Sequence, residues 1–412
     1  MMVPMSGRLR LVPVLLTLVV VAACSDAADD ASAGAVTEAS TSPTDTTTET
    51  TETTETTAET ETTAETETAT ATERETETAT TTEPPATTEP VGAVWTPLSL
   101  EGCVCSDGSE PTFFERAGDP TKVVLYFEGG GACFSKETCD PNGNPTYTIT
   151  STGSADGLAE RGGYFDLDRI DNPLAEHSWL YVPYCTGDVH MGNTTTDYGD
   201  GVIIEHRGYT NGLAALEHLL ATYPDVEQLV VTGASAGSIP TPLFAALAAD
   251  ELPGADIVTF GDSSAAYPDV DPINEVIGSS WGTLAAIPDW PVTEGLTAAD
   301  WSIPELYVYG GRHAPDVRFA RFDYAFDDVQ ATFGALAGVA ADDLVTLIDE
   351  TEAQIEAAGP QVATYVAPGT AHTVVGGDEF YTLEVEGVLL IDWFTELIDG
   401  GTPADVRCTV CG

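Results

Sequence analysis

Positive charge is scarce in this chain: 13 Lys and Arg stand against 67 Asp and Glu in 412 residues, a formal net charge of −54. So negative a molecule disfavours nucleic acid, anionic lipid head groups and polyanionic substrates unless salt screens it. Apolar runs of membrane-spanning length are lacking too, since Leu11 to Ala23 is too short to cross a bilayer as a helix. From residue 24 to residue 92 it is large apolar side chains that are missing. That stretch is Thr, Glu and Ala, as in Thr47-Thr48-Glu49-Thr50-Thr51-Glu52. It cannot bury enough surface to offset its conformational entropy, which excludes a packed core and predicts a disordered acidic tether over 24–92.

What is present begins with a sorting signal. Arg8 and Arg10 precede the short apolar run, which ends in small residues at Val21-Ala22-Ala23-Cys24, the pattern of a secretory signal peptide over 1–23. Those last four residues resemble a bacterial lipobox, which makes Cys24 a lipidation site and the protein an extracytoplasmic one, anchored to the cell membrane and exposed outside. The alternative is an ordinary cleaved signal with an incidental cysteine.

Residues 93–412 are expected to form one catalytic-sized domain. They keep 50 of the acidic and ten of the basic residues, a formal charge near −40, so the acidity is not confined to the tether. Strand-like runs occur at Lys122 to Phe127, Trp179 to Val182, Gln228 to Thr232, Ile257 to Phe260, Val317 to Phe322 and Val362 to Val366. Helical patterns lie between and after them at Gly212 to Tyr223, from an Asp342 cap to about Ala358, and at Gly387 to Ile398. This alternation predicts an α/β fold with a mostly parallel central sheet covered by helices on both faces, and a site beyond the carboxyl ends of its strands.

Seven cysteines fall in this domain, in a compartment where disulfides persist. Cys133 and Cys139 bracket a short loop and are expected to pair. Cys103 and Cys105 are expected to bridge to Cys408 and Cys411 and staple the chain ends, which leaves Cys185 unpaired. Zinc held by the four terminal cysteines is the competing reading.

Val230-Val231-Thr232-Gly233-Ala234-Ser235-Ala236-Gly237-Ser238 spells G-x-S-x-G between a β-branched run and a helix-forming segment. That is the context of a nucleophile elbow, in which small residues two before and two after the serine let the backbone turn sharply and lift Ser235 out. After the first strong strand, the triplet Gly129-Gly130-Gly131 leaves backbone N–H groups able to converge on an oxyanion, together with the N–H of Ala236.

Four motifs in order, Phe127-Glu128-Gly129-Gly130-Gly131-Ala132-Cys133, Pro183-Tyr184-Cys185-Thr186-Gly187-Asp188-Val189-His190, Gly233 to Ser238 and Gly369-Thr370-Ala371-His372-Thr373, resemble the pectin acetylesterase/Notum family of serine hydrolases. The likeness implies an α/β-hydrolase-like fold. The chain departs from the family at Ala234 and Ser238, where Cys and Gly are frequent, and at Ala132, where Trp is frequent. These changes touch the pocket wall more than the chemistry.

The family's order of nucleophile, acid and histidine implies His372 as base, since His177, His190, His206 and His218 precede the serine and His313 follows no strand end. His190 lies in a family motif and is a candidate pocket residue. Asp327 matches the family's A-x-D-x-x-Q pattern as the acid; Asp323, Asp328 and Asp262 are its rivals. The implied reaction is hydrolysis of an ester by Ser235, His372 and Asp327 with Gly130, Gly131 and Ala236 around the oxyanion, which requires no metal or organic cofactor. The resemblance offers O-acetyl or another short acyl ester of a small molecule or glycan, or the acyl group of a lipidated protein, as substrate, with no role for nucleic acid. A tethered, inactive glycan-binding protein is the reading from a different class.

Overall fold

The computed structural model describes residues 94–339 and 343–411. Segment 1–23, Cys24, the tether 24–92 and Asp342 lie outside the described residues.

Nine strands form the central sheet: β1 (Thr96–Leu98), β2 (Phe113–Arg116), β3 (Asp119–Phe127), β4 (His177–Val182), β5 (Gln228–Ala234), β6 (Asp256–Asp262), β7 (Arg318–Tyr324), β8 (Val362–Ala367) and β9 (Val406–Arg407). Their order across the sheet is β1-β2-β4-β3-β5-β6-β7-β8-β9. From β4 to β9 every pairing is parallel, and β1 and β2 are added at one edge by antiparallel pairing.

Successive side chains of a strand point to opposite faces, so a strand covered on both sides must be apolar at every position. Val123, Leu125 and Phe127 pack on one face with Leu216, Leu219 and Phe244, and Val124 and Tyr126 pack on the other with Tyr164, Phe165 and Phe394. The covering helices include α1 (Gly208–Thr222), α2 (Thr241–Glu251), α3 (Ile303–His313), α4 (Asp328–Leu336), α5 (Leu344–Ala357) and α6 (Leu390–Ile398). The α/β architecture and its six main parallel strands stand where the sequence puts them. Three helix starts differ. The helix read from Gly212 opens four residues earlier, at Gly208. Asp343 caps α5, its Oδ1 accepting the Thr346 N–H at 3.1 Å. The last helix opens at Leu390 because Val388–Leu389 pairs with Glu384–Val385 as a two-residue ribbon.

The cysteines pair otherwise than the sequence suggests, apart from Cys133–Cys139. Cys105 bonds to Cys185, Cys408 bonds to Cys411, and Cys103 is buried with no disulfide partner among the described residues. Sheet topology is the reason. Cys185 follows β4 and Cys408 follows β9, and six strand spacings separate these, about 30 Å. A disulfide needs Cα atoms within about 7 Å, so neither a bridge nor a shared zinc can join the two terminal pairs.

Candidate active site

The strand β5 ends at Ala234, and Ser235 then takes φ +57°, a left-handed conformation rare for a residue with a side chain. A 3-10 turn over Ser235–Gly237 leads into α2. The turn closes so tightly that a Cβ on Gly233 would strike the Gly237 carbonyl, and one on Gly237 would strike the Phe127 carbonyl. This is a strand-to-helix elbow with the serine at its tip, as G-x-S-x-G predicts.

The glycine loop lies directly against it. A Cβ on Gly129 would come within 2.9 Å of the Ser235 Cβ. The loop's carbonyls are turned away and engaged: Gly130 O accepts the Thr148 N–H at 2.8 Å and Gly131 O accepts the Tyr184 hydroxyl at 2.7 Å. The N–H groups of Gly130 and Gly131 have no acceptor among the described residues, and that of Ala236 lies in the first turn of its helix, where none exists.

His190 proves to be a brace for this loop and not a pocket residue. It is 1% exposed, its Nε2 donates to the Glu128 carbonyl at 2.8 Å, and its ring packs edge-on against Phe127. Burial pushes its pKa down to about 4, so the ring is neutral at neutral pH. Its neighbour Val189 lines the pocket instead.

On the far side of the elbow, the imidazole of His372 sits on Asp327, Nδ1 to Oδ2 at 2.7 Å. Asp327 is fully buried and caps α4. Its Oδ1 accepts the N–H groups of Val329 at 2.9 Å and Gln330 at 3.0 Å, and the Gln330 side chain donates to Oδ2 at 3.1 Å. A carboxylate held by that many donors has one orientation, and it fixes the proton on Nδ1. Nε2 is then the acceptor; it is buried and has no hydrogen-bond partner among the described residues.

The rival aspartates do other things. Asp323 accepts the Ala265 N–H at 3.0 Å and shares Gln330 with Asp327, Asp328 is exposed, and Asp262 binds backbone N–H groups. Ser235, His372 and Asp327 thus lie past the ends of β5, β8 and β7, on one edge of the sheet.

Beside Ser235 and Ala236 opens a pocket. Its walls are apolar, with Phe134, Met191, Ile239, Trp281, Ile303 and Phe333 among them. Ala132, one of the departures from the family pattern, also lines it. Much of one wall comes from the segment between β6 and α3, including Ile273, Trp281 and Trp301, which sequence reasoning missed. Three closely spaced tryptophans, Trp281, Trp290 and Trp301, are the signal that was there to find.

Residues 92–275 match the family model described as Pectinacetylesterase. Palmitoleoyl-protein carboxylesterase NOTUM of Schmidtea mediterranea is 28% identical over 92 residues, 21% of this chain and 18% of that protein. Pectin acetylesterase 5 of Arabidopsis thaliana is 26% identical over 160 residues, 37% of this chain and 36% of that protein. The inactive palmitoleoyl-protein carboxylesterase notum1b of Danio rerio is 28% identical over 102 residues, 24% of this chain and 71% of that protein. The chain therefore spans less than two-fifths of the first two relatives. The likeness read from the motifs stands, as does the α/β-hydrolase-like fold.

Proposed function

We propose, from the chain's kinship with the pectin acetylesterase/Notum family, that its domain is a serine carboxylesterase. Ser235 attacks the ester carbonyl, and His372 Nε2 takes the hydroxyl proton. Asp327 holds the imidazole tautomer and stabilises the charged form. The N–H groups of Gly130, Gly131 and Ala236 receive the oxyanion, each contributing on the order of 3 kcal/mol to the transition state. The alcohol leaves with the proton from Nε2, and water then releases the acyl group by the same route. The observation that carries this reading is the 2.7 Å bond from His372 Nδ1 to a buried, fully oriented Asp327, which leaves Nε2 free.

The pocket favours an acyl chain longer than acetyl. Its walls are apolar side chains, Phe134, Met191, Ile239, Trp281 and Phe333 among them, and each methylene buried against them contributes about 0.8 kcal/mol, which an acetyl group forgoes. Two measurements test the proposal. A fluorophosphonate probe is expected to label the wild type but not a folded Ser235→Ala protein, and no labelling of folded wild type would favour an inactive glycan binder. Across p-nitrophenyl esters from acetate to laurate, kcat/KM is expected to rise with chain length; a maximum at acetate would return the substrate to an acetyl ester.

The location is part of the same proposal: a lipid anchor on Cys24 holds the enzyme at the outer face of the membrane, with 24–92 as the tether. Cys24→Ser is then expected to release it into the medium, and an unmodified, freely secreted wild type in mass spectrometry would overturn the anchor.

A further inference from the structure

The loop carrying His372 is tied down on both sides of the histidine, and only one side belongs to the acid. Before it, the turn that presents Asp327 makes the contacts: Phe326 N–H donates to Gly369 O at 3.0 Å and Asp328 N–H to Thr370 O at 3.2 Å. After it, three successive backbone N–H groups converge on the end of β6. Thr373 N–H donates to Ser263 Oγ at 3.1 Å, and Val374 and Val375 donate to Asp262 Oδ2 at 2.8 and 3.0 Å. Ser263 Oγ in turn donates to Asp262 Oδ1 at 3.0 Å, so that one fully buried carboxylate organises the whole cradle.

Backbone strain collects at the same place. Ser263 and Thr373 both have positive φ, +68° and +65°, a conformation that is strained for a residue with a side chain and persists only where the surroundings enforce it. The cradle is also in register with the nucleophile, because Asp262 on β6 pairs with Ala234 on β5, the residue before Ser235. A single sheet position therefore references the backbone on either side of the proton transfer.

We propose that Asp262, acting with Ser263, is a positioning residue for hydrolysis at this site, fixing the backbone after His372 so that Nε2 is held over Ser235. This rests on the esterase reading given above. Asp327 sets the tautomer and the tilt of the ring, and Asp262 sets where the ring's backbone stands relative to the elbow. Val374 and Val375 are buried at 2% and 0% exposure, so without the carboxylate their N–H groups lose acceptors that water cannot readily replace, and the loop must move to find others.

The test compares Asp262→Ala, Asp262→Asn and Ser263→Ala with the wild type on a p-nitrophenyl ester, each shown to be folded at the assay temperature. Misplacement of a catalytic group by about 1 Å costs roughly 100-fold. Asp262→Ala is therefore expected to lose about 100-fold in kcat with KM within two-fold, since no substrate contact changes. Asp262→Asn keeps a side-chain oxygen for Val374 and Val375 and is expected to recover part of that loss. Ser263→Ala, which removes the Thr373 contact and the hydroxyl's bond to Asp262 but leaves the carboxylate on Val374 and Val375, is expected to lose a few-fold and carries the test if Asp262→Ala does not fold. The second readout is the low-field Nδ1 proton of His372 by NMR, assigned by its disappearance in His372→Ala and expected to broaden or vanish in the Asp262 variants. Wild-type kcat in folded Asp262→Ala, or an imidazole proton unchanged in every variant, overturns the proposal. If Ser235→Ala and wild type hydrolyse the ester alike, the esterase reading has failed, and the imidazole proton still decides the role of Asp262.

Discussion

Ser235→Ala and His372→Ala are each expected to lower turnover of an aryl ester by about 10⁴ to 10⁶, because nucleophile and base act as a unit. Asp327→Ala should cost somewhat less, since an imidazole remains and loses only its orientation and support. The aspartates around it separate cleanly on geometry. Asp328 is exposed and offers its N–H to Thr370, so Asp328→Ala should stay close to wild type. Asp323 touches the proposed triad only through Gln330, which donates to Asp323 Oδ1 at 2.8 Å and to Asp327 Oδ2 at 3.1 Å, so its loss should be smaller than that of Asp327. Steady-state kinetics on folded variants checks the ranking, and full activity in Ser235→Ala would end the serine mechanism.

The elements that the sequence predicted well are those whose burial leaves a simple pattern. A strand such as β5, covered on both faces, reads as Leu229-Val230-Val231-Thr232, and the turn that follows needs its glycines for steric reasons visible in five letters. The contact between His372 and Asp327 was legible only through the family pattern, and Asp262 was legible only as a rival acid, because the N–H it anchors lies 112 residues away on another strand's loop. The pocket wall between β6 and α3 escaped notice because short helical turns carry no period long enough to read. Cys133–Cys139 was legible because it is local, but the pairing of the other cysteines was not, for the same reason as Asp262: it depends on strand order, which places β4 and β9 six positions apart. The pairing has a consequence that a melting experiment can check. Cys105–Cys185 closes a loop of 80 residues and Cys408–Cys411 one of three, so in the chain-entropy model the first stabilises by about 4 kcal/mol and the second by about 2. Replacing both cysteines of the first pair by Ser should therefore lower the unfolding midpoint well beyond the same change in the second pair. Equal effects would contradict the loop-length argument.

For the whole molecule the governing quantity is charge, and it makes stability depend on pH in an unusual direction. With ten basic residues against 50 acidic ones after residue 92, ionising the surface carboxyls builds self-repulsion as pH rises above about 4. Two buried carboxyls act in the same sense. Burial pushes Asp262 up to about 6, with His372 and the phenols of Tyr126, Tyr164 and Tyr324 around it. Burial pushes Asp323 up to about 7, against Arg321 and beside Asp327, Tyr267 and Tyr307. A carboxyl whose folded pKa exceeds its unfolded value binds its proton more tightly when folded. Its contribution to stability is therefore complete below about pH 4 and is lost as pH rises through 6 to 7. For Asp323, carried from 3.8 to about 7, that loss is on the order of 4 kcal/mol. Asp323→Asn keeps an oxygen for Ala265 and Gln330 and removes the titration, so it should stabilise the protein at pH 8, do little at pH 4, and flatten the curve between them. Added NaCl should raise the midpoint of both proteins at pH 8, by screening surface repulsion, without closing the gap between them, because a buried carboxylate is screened far less. Denaturant melts at pH 4, 6 and 8, at low and high salt, separate the two effects: a variant that tracks the wild type at every pH would show that Asp323 is ionised in the folded protein throughout.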